Sequence, residues 1–255
     1  MAELTKLERD LSIFKKLNLE KQPVGVKFLY GKPEGIQRLD KKLGLCEMVP
    51  EAQKGRAFYA DQENHECAGP IALGMVDMEP FFESGQLGPR LEIFREARAN
   101  RRIYEVIPKL KKGTCNYTVF APLDKLIFEP DVLIVSGTAR QAEIILRSMS
   151  YTTGQMYESK GTPVLGCAWT LVYPYLTGKI NFSVAGLTFG HIAREVGKEG
   201  NVVVSIPFDC MPTMMENLKT MKWVLPAFTE GRDNYNERFK RETSDILTEA
   251  VHKDQ

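Results

Sequence analysis

The stretch VLIVSGTARQAEIILRSMS, residues 132–150, carries the clearest structural signal in this chain of 255 residues. It opens with an apolar, β-branched run that ends at Gly137, a pattern typical of a buried strand. Directly behind this run, apolar residues at helical spacing predict a helix over residues 139–150. A strand followed at once by a helix is typical of α/β and α+β proteins.

Further strands and helices are predicted on both sides of this unit. The β-rich runs are PVGVKFLY (23–30), TVFAPL (118–123), INFSVAG (180–186) and NVVVSIP (201–207). The spacing of apolar residues predicts helices over residues 4–17, 34–43 and 91–111, the last kinked or ended near Pro108. We therefore expect an α/β or α+β fold in which mixed sheets are flanked by helices.

An internal echo relates the two halves of the chain. Asn116, Val119, Pro122 and Asp124 recur 85 residues later as Asn201, Val204, Pro207 and Asp209. A second, fainter echo sets GLC (44–46) beside LGC (165–167). If both echoes reflect duplication of one αβ unit, Cys46 and Cys167 are related by a pseudo-twofold axis and face each other.

The expected organisation is a single α/β domain over residues 1–230 and a helical tail over residues 231–255. If the domain is duplicated, its two pseudo-repeats divide near residues 112–116. The tail is polar, which favours a helix at the periphery of the molecule.

The charge balance and the lack of long apolar runs restrict the expected partners. Lys and Arg total 34 against 33 Asp and Glu, whereas nucleic-acid-binding proteins usually show a basic excess. The N-terminal segment lacks a signal-peptide pattern, and no apolar run approaches the ~18 residues that cross a bilayer. We therefore expect a cytoplasmic protein with no nucleic-acid or membrane partner. Its partner is expected to be a redox protein or a small molecule, and a homo-oligomer stays open.

The five cysteines are the main functional signal. They are Cys46, Cys67, Cys115, Cys167 and Cys210, each in a short segment marked by Gly or Pro. An odd number of cysteines in a reducing compartment favours free thiols, metal ligation or catalysis over a set of disulfides. The leading hypothesis is an iron–sulfur cluster, most readily a 4Fe–4S cluster with four thiolate ligands, in a redox or electron-transfer role.

Within that hypothesis, Cys46, Cys67 and Cys167 are the first three ligands. The fourth is Cys115, Cys210 or a non-protein ligand. A predicted helix opens directly behind Cys67, so we expect its thiolate to be favoured by the helix N-terminus. The chain has no CxxC, which leaves structural cysteines and a zinc site as alternatives.

Two histidines support two other hypotheses, a thiol-dependent enzyme and a tetrapyrrole carrier. Whether the protein is an enzyme therefore stays open. His65, two residues before Cys67, is a weaker metal-ligand candidate or a general base beside a cysteine nucleophile. The latter arrangement predicts a metal-free, thiol-dependent enzyme. His191 is a second weaker metal-ligand candidate, or with His65 an axial ligand of a tetrapyrrole, which predicts a corrinoid or haem carrier module.

Several short motifs, in their order and spacing, resemble one protein family. They run from PVGVKF through LCEMVPEAQKG and HECAGPIALG to VLGCAW, TGKINFSVAG and VVVSIP. On these motifs the chain resembles the domain of unknown function 169 family over about residues 23–218. The resemblance implies an anaerobic archaeal or bacterial context and carries no activity with it.

The resemblance also singles out three of the cysteines. The matching positions are Cys46, Cys67 with Gly69, and Cys167 ahead of Thr177, Gly178 and Asn181. Members of the family often carry a further cysteine in the segment that corresponds to residues 185–190. This chain has none there, so the resemblance does not imply an identical ligand set.

Overall fold

A six-stranded sheet forms the framework of the computed structural model, which describes residues 2–253. Its strands are β1 (Val24–Leu29), β2 (Phe58–Ala60), β3 (Tyr117–Pro122), β4 (Val132–Thr138), β5 (Asn181–Val184) and β6 (Asn201–Pro207). They lie in the order β2-β3-β1-β4-β6-β5, and every pairing is antiparallel. The predicted α/β or α+β class is confirmed, with a single antiparallel sheet where the sequence analysis expected mixed sheets.

The sheet is pseudo-symmetric about its centre: β1, β2 and β3 in the first half of the chain occupy positions equivalent to those of β4, β5 and β6 in the second. β1 and β4 pair at the centre, β3 and β6 flank them, and β2 and β5 form the edges. β1 to β3 therefore make one half of the sheet and β4 to β6 the other. The change of halves falls between Pro122 and Val132, later in the chain than the predicted division near residues 112–116.

Helices and single turns connect the strands. The α-helices before β4 are α1 (Met48–Gln53), α2 (Gly69–Ala72), α3 (Pro80–Glu83), α4 (Leu87–Arg90) and α5 (Ala97–Val106). Those after β4 are α6 (Ala139–Thr153), α7 (Tyr173–Thr177), α8 (Phe189–Ala193), α9 (Met211–Thr220) and α10 (Arg232–Lys253). Short 3-10 helices include Ser12–Leu17, Leu45–Glu47 and Phe208–Cys210, and Ala168–Val172 is a π-helix.

The main hydrophobic core lies on one face of the sheet. That face is formed by alternate residues of the strands, including Val24, Val26, Phe58, Phe120, Val132 and Ile134. Three chain segments pack on it: α1 with the 3-10 turn before it, α2, and the π-helix with the start of α7. Each of these three segments follows or contains a cysteine, so the core brings Cys46, Cys67 and Cys167 to the same side of the sheet.

The structure contains two compact units, residues 1–219 and 220–255 by their contacts. The first contains the sheet, the core and all five cysteines. The second contains α10, and Arg238 of this helix pairs with Glu230, which lies just before it. No helix within residues 2–253 has both the length and the apolar character needed to cross a bilayer.

Three predicted helices are wrong in extent because contacts distant in sequence determine the backbone there. Residues 34–43 are not helical: Leu39 donates its backbone N–H to Tyr59 O, which attaches the segment beside β2. The helix predicted over residues 91–111 is confined to α5, since Glu92 has a φ of +57°. Of residues 4–17, only Ser12–Leu17 is helical, because the chain around Leu7 pairs with Ile127 instead.

Candidate functional site

A cavity of about 280 Å³ lies beside the hydrophobic core, and three thiols line it. Cys46, Cys67 and Cys167 lie in its wall together with Thr188 and Arg194. Much of the remaining wall is apolar, and the α3–α5 region contributes Phe81, Phe82, Leu87, Leu91, Ile93, Asn100 and Tyr104. The structure thus brings three of the five predicted cysteines together, and these are the three placed first from the sequence.

Cys46 lies on the 3-10 turn Leu45–Glu47, which a charged side chain holds in place. Glu47 Oε2 accepts a hydrogen bond from Gly44 N at 2.5 Å and another from Arg194 Nη1 at 2.7 Å. A side chain at Gly44 would overlap the Arg194 guanidinium, so glycine is needed for this close approach. The turn is therefore tied to a residue from the other half of the sheet, and a positive charge stands beside Cys46.

Cys67 lies between β2 and α2 and receives two backbone hydrogen bonds. Its Sγ accepts from Leu45 N and from Gly69 N, each at 3.2 Å. A Cβ on Gly69 would lie 2.5 Å from Leu45 Cβ, so this glycine allows the chain to fold tightly around the sulfur. Two N–H donors aimed at one sulfur are typical of a thiolate that is charged or bound to metal.

Cys167 directly precedes the π-helix Ala168–Val172. Pro174 has no N–H and cannot complete the regular helical ladder toward Thr170, which accounts for the wider turn at this point. The backbone N–H of Ala168 lowers the pKa of Cys167, and that of Cys167 lowers the pKa of Cys46. Backbone groups at the start of the π-helix therefore favour the ionised form of both thiols.

Cys46 and Cys167 are close enough for each to shift the pKa of the other. The interaction with Cys167 lowers the pKa of Cys46, and the nearby Arg194 acts in the same direction. The pKa of Cys167 is raised well above its usual range by its interaction with Cys46, by burial and by the charge on Cys46 when that thiol ionises. Of the two thiols, Cys46 therefore ionises more readily.

The start of α2 does face Cys67, since Gly69, its first residue, donates its N–H to the sulfur and lowers the pKa of the thiol. Burial nevertheless raises the pKa of Cys67 and outweighs the two backbone hydrogen bonds that lower it. α2 comprises only Gly69–Ala72, and such a short helix has little dipole to offer. A neighbouring cation is needed before all three thiols can ionise at neutral pH.

Cys115 and Cys210 lie outside this site. Cys115 precedes β3, donates to Tyr117 O at 3.5 Å, and has a pKa that burial raises to about 12. Cys210 is buried on the turn Phe208–Cys210, with its sulfur 3.8 Å from Gly178 O. Neither lines the cavity, and their contacts are those of buried core thiols. Their role as a fourth ligand stays a prediction.

His191 is buried and His65 is half-buried with both ring nitrogens shielded from solvent, and neither lines the cavity. Burial lowers the pKa of each to about 4, so both are neutral at neutral pH. His191 Nε2 lies 3.1 Å from Thr170 Oγ1, while its Nδ1 has no partner among the described residues. Neither ring nitrogen of His65 has a partner within residues 2–253, so no hydrogen bond links it to the Cys67 sulfur there.

The thiols are not arranged as the ligands of one metal ion. Across the part of the chain that the structure describes, no group of three or more His, Cys, Asp or Glu side chains is placed to hold a single ion. A mononuclear zinc geometry is therefore absent from residues 2–253.

Sequence reasoning missed the polar residues that complete the site. Arg194 and Glu47 are 147 positions apart, and nothing local to either residue indicates that they pair. Asn100 is buried and lines the cavity, and its Oδ1 has no partner among the described residues. Thr188 did have a signal: the run TFGHIA (188–193) parallels CAGPIA (67–72), which opens with Cys67.

Comparisons with known proteins agree with the motif resemblance. The model of the family DUF169, described as uncharacterised ArCR, matches residues 12–217. A protein of Methanocaldococcus jannaschii, described as uncharacterised, is 26% identical over 212 residues, which cover 81% of this chain and 90% of that protein. No solved structure matches the chain significantly.

Proposed function

The chain belongs to the DUF169 family, and we propose that it binds an iron–sulfur cluster, most readily 4Fe–4S, through Cys46, Cys67 and Cys167. The proposed role is redox chemistry or electron transfer. The observation that supports it most is that three thiols from separate segments line one cavity. Three such thiols repel each other on ionising, and a bound cationic centre removes that cost.

The donor set and the open space beside it both fit a cluster. The two backbone N–H groups that donate to Cys67 Sγ are the kind of donors that stabilise cluster thiolates. The cavity that the three thiols line offers space for a non-protein group. Arg194 adds a positive charge that offsets the charge of the thiolates.

The other hypotheses have less support from the geometry. A tetrapyrrole needs an axial ligand facing an opening of its own size, and neither His65 nor His191 lines the cavity. A cysteine nucleophile needs a base within hydrogen-bonding reach, whereas Cys67 Sγ accepts only from Leu45 N and Gly69 N among the described residues. No histidine is among the groups that shift the pKa of Cys46 or Cys167, so neither thiol has a histidine base beside it within the described residues.

The test is metal analysis of protein purified without oxygen. We expect iron and acid-labile sulfide in near-equal amounts, and a broad absorbance near ~400 nm that dithionite bleaches. Cys46→Ser, Cys67→Ser and Cys167→Ser are expected to lose most of the iron. Cys115→Ser and Cys210→Ser are matched controls that should keep it. A colourless, iron-free wild-type protein, or full loading in all three site variants, would overturn the proposal.

A further inference from the structure

The segment after β5 repeats the segment that carries Cys67. CAGPIA (67–72) and TFGHIA (188–193) share Gly, Ile and Ala at the same three positions. Both runs follow an edge strand, β2 in one half and β5 in the other, and both form a short helix, α2 or α8. Exchange of the two halves of the sheet therefore places Thr188 where Cys67 stands.

The side-chain contacts follow the same symmetry. Cys67 packs on Leu45, the residue before Cys46, whose backbone N–H it accepts. Thr188 packs on Gly166, the residue before Cys167, so closely that a Cβ on Gly166 would overlap it. Thr188 is 2% exposed and lines the cavity with the three thiols. Four quasi-equivalent positions thus line the cavity, three with a thiol and one with a hydroxyl.

A threonine in the fourth position does not replace a thiolate. The hydroxyl of Thr188 donates to Thr162 O at 2.9 Å and is thereby directed to the protein backbone. An aliphatic hydroxyl is also a hard, neutral donor, whereas iron–sulfur clusters take soft thiolates. The iron nearest Thr188 would then lack a protein ligand and face the cavity.

We propose that the cluster has three cysteine ligands and one iron that is open to a small molecule at the Thr188 position. This inference rests on the proposed cluster. The ligand class follows from the walls: Phe82, Ile93 and Tyr104 favour a compact, largely apolar molecule. It would carry one sulfur, nitrogen or oxygen donor for the iron. Asn100 lines the cavity, and its Oδ1, which has no partner among the described residues, is left to accept a hydrogen bond from the same molecule.

Cyanide binding to the reduced cluster tests the open iron. We expect cyanide to change the electron paramagnetic resonance spectrum of dithionite-reduced wild-type protein, and of Thr188→Ser and Thr188→Val. In Thr188→Cys, the added thiolate should occupy the open iron and abolish the cyanide effect while iron content stays the same. Thr188→Ser keeps the hydroxyl, so it shows whether a substitution at this position alone disturbs the site.

The outcomes separate this inference from the proposed function. If wild-type protein and all variants lack iron, the cluster itself is refuted. If the cluster is present but wild-type protein does not respond to cyanide, the iron is not open and the inference is overturned. A Thr188→Cys cluster that still responds like the wild type also overturns it, because position 188 then does not face the fourth iron.

Discussion

Glu47 and Arg194 determine the charge beside Cys46. Glu47 joins the Gly44 backbone and the Arg194 guanidinium, and Arg194 in turn lowers the pKa of Cys46. The pair is mostly shielded from solvent, so its charges are less screened than those of a surface ion pair. Replacing one partner leaves the charge of the other uncompensated next to the proposed cluster.

Arg194→Gln is expected to lower the reduction potential of the cluster, and Glu47→Gln to raise it. Reduction adds negative charge, which Arg194 stabilises and Glu47 opposes. A unit charge at about 8 Å and an effective dielectric of about 20 is worth about 2 kcal/mol. With 59 mV for a tenfold change in a one-electron couple, this is a shift of about 90 mV. Redox titration of both variants measures it, and shifts of the same sign would contradict the charge argument.

His191 makes the folded state sensitive to mild acid. Burial lowers its folded pKa to about 4, below the ordinary 6.5, so the neutral ring is favoured in the folded protein. Its contribution to stability is complete above pH ~6.5 and is lost as the pH falls toward 4, up to about 3 kcal/mol. Urea unfolding of metal-free protein at pH 7.5, 5.5 and 4.5 should show this loss, and His191→Gln should reduce it. An equal loss in the variant would contradict the prediction.

At the scale of elements, the strands could be predicted from sequence better than the helices. The prediction for residues 201–207 coincides with β6, and that for residues 132–137 is one residue short of β4, since both are continuous β-branched runs. The helix over residues 34–43 fails because its apolar spacing competes with backbone pairing to Tyr59, which only the folded chain supplies. Local patterns therefore indicate where strands lie, and tertiary hydrogen bonds decide the connecting segments.

The candidate site, too, has one part that the sequence predicts and one part that depends on contacts distant in sequence. The echo between residues 44–46 and 165–167 predicts that Cys46 and Cys167 face each other, and in the structure both line one cavity and shift each other's pKa. Arg194 has no such signal, because its partner Glu47 lies in the other half of the sheet. The repeated motifs therefore predict the two equivalent cysteines. The Glu47–Arg194 ion pair has no equivalent in the repeat, so only the three-dimensional structure reveals it.

The π-helix segment and α8 are coupled through Gly166 and Thr188. Gly166→Ala is expected to destabilise the protein by about 1–3 kcal/mol, because its new methyl group would overlap the Thr188 side chain. Thr188→Ser removes the nearest methyl group, so the double variant should recover part of this loss. A double-mutant cycle from urea unfolding measures the coupling. If the changes in unfolding free energy of the two single variants simply add in the double variant, Gly166 and Thr188 are not coupled, and the prediction is contradicted.

At the scale of the whole molecule, the two halves of the sheet share a short seam. β1 and β4 pair only from Val24–Ile134 to Val26–Val132, whereas β4 and β6 pair from Val132–Pro207 to Thr138–Asn201. Cys46 and Cys67 come from the first half and Cys167 from the second. A cluster held by all three would therefore join the halves across a seam with few hydrogen bonds of its own.

Loading the cluster is accordingly expected to stabilise the entire sheet. A ligand that binds only the folded state at about 1,000 times its Kd adds about 4 kcal/mol, which for a domain of this size raises Tm by about 10 °C. Differential scanning calorimetry of loaded and chelator-stripped protein measures the shift. Hydrogen exchange should slow in β1 and β4 together, because both sides of the seam are held.

Two variants show whether the stabilisation comes from joining the halves. In Cys115→Ser, the difference in Tm between loaded and stripped protein should be unchanged, since Cys115 lies outside the cavity. In Cys167→Ser, the second half loses its ligand, so any cluster that remains on Cys46 and Cys67 should protect β1 without protecting β4. Equal protection of β1 and β4 from hydrogen exchange in that variant would contradict the prediction. The hydrophobic core alone would then hold the two halves together, and the cluster would add no stability by joining them.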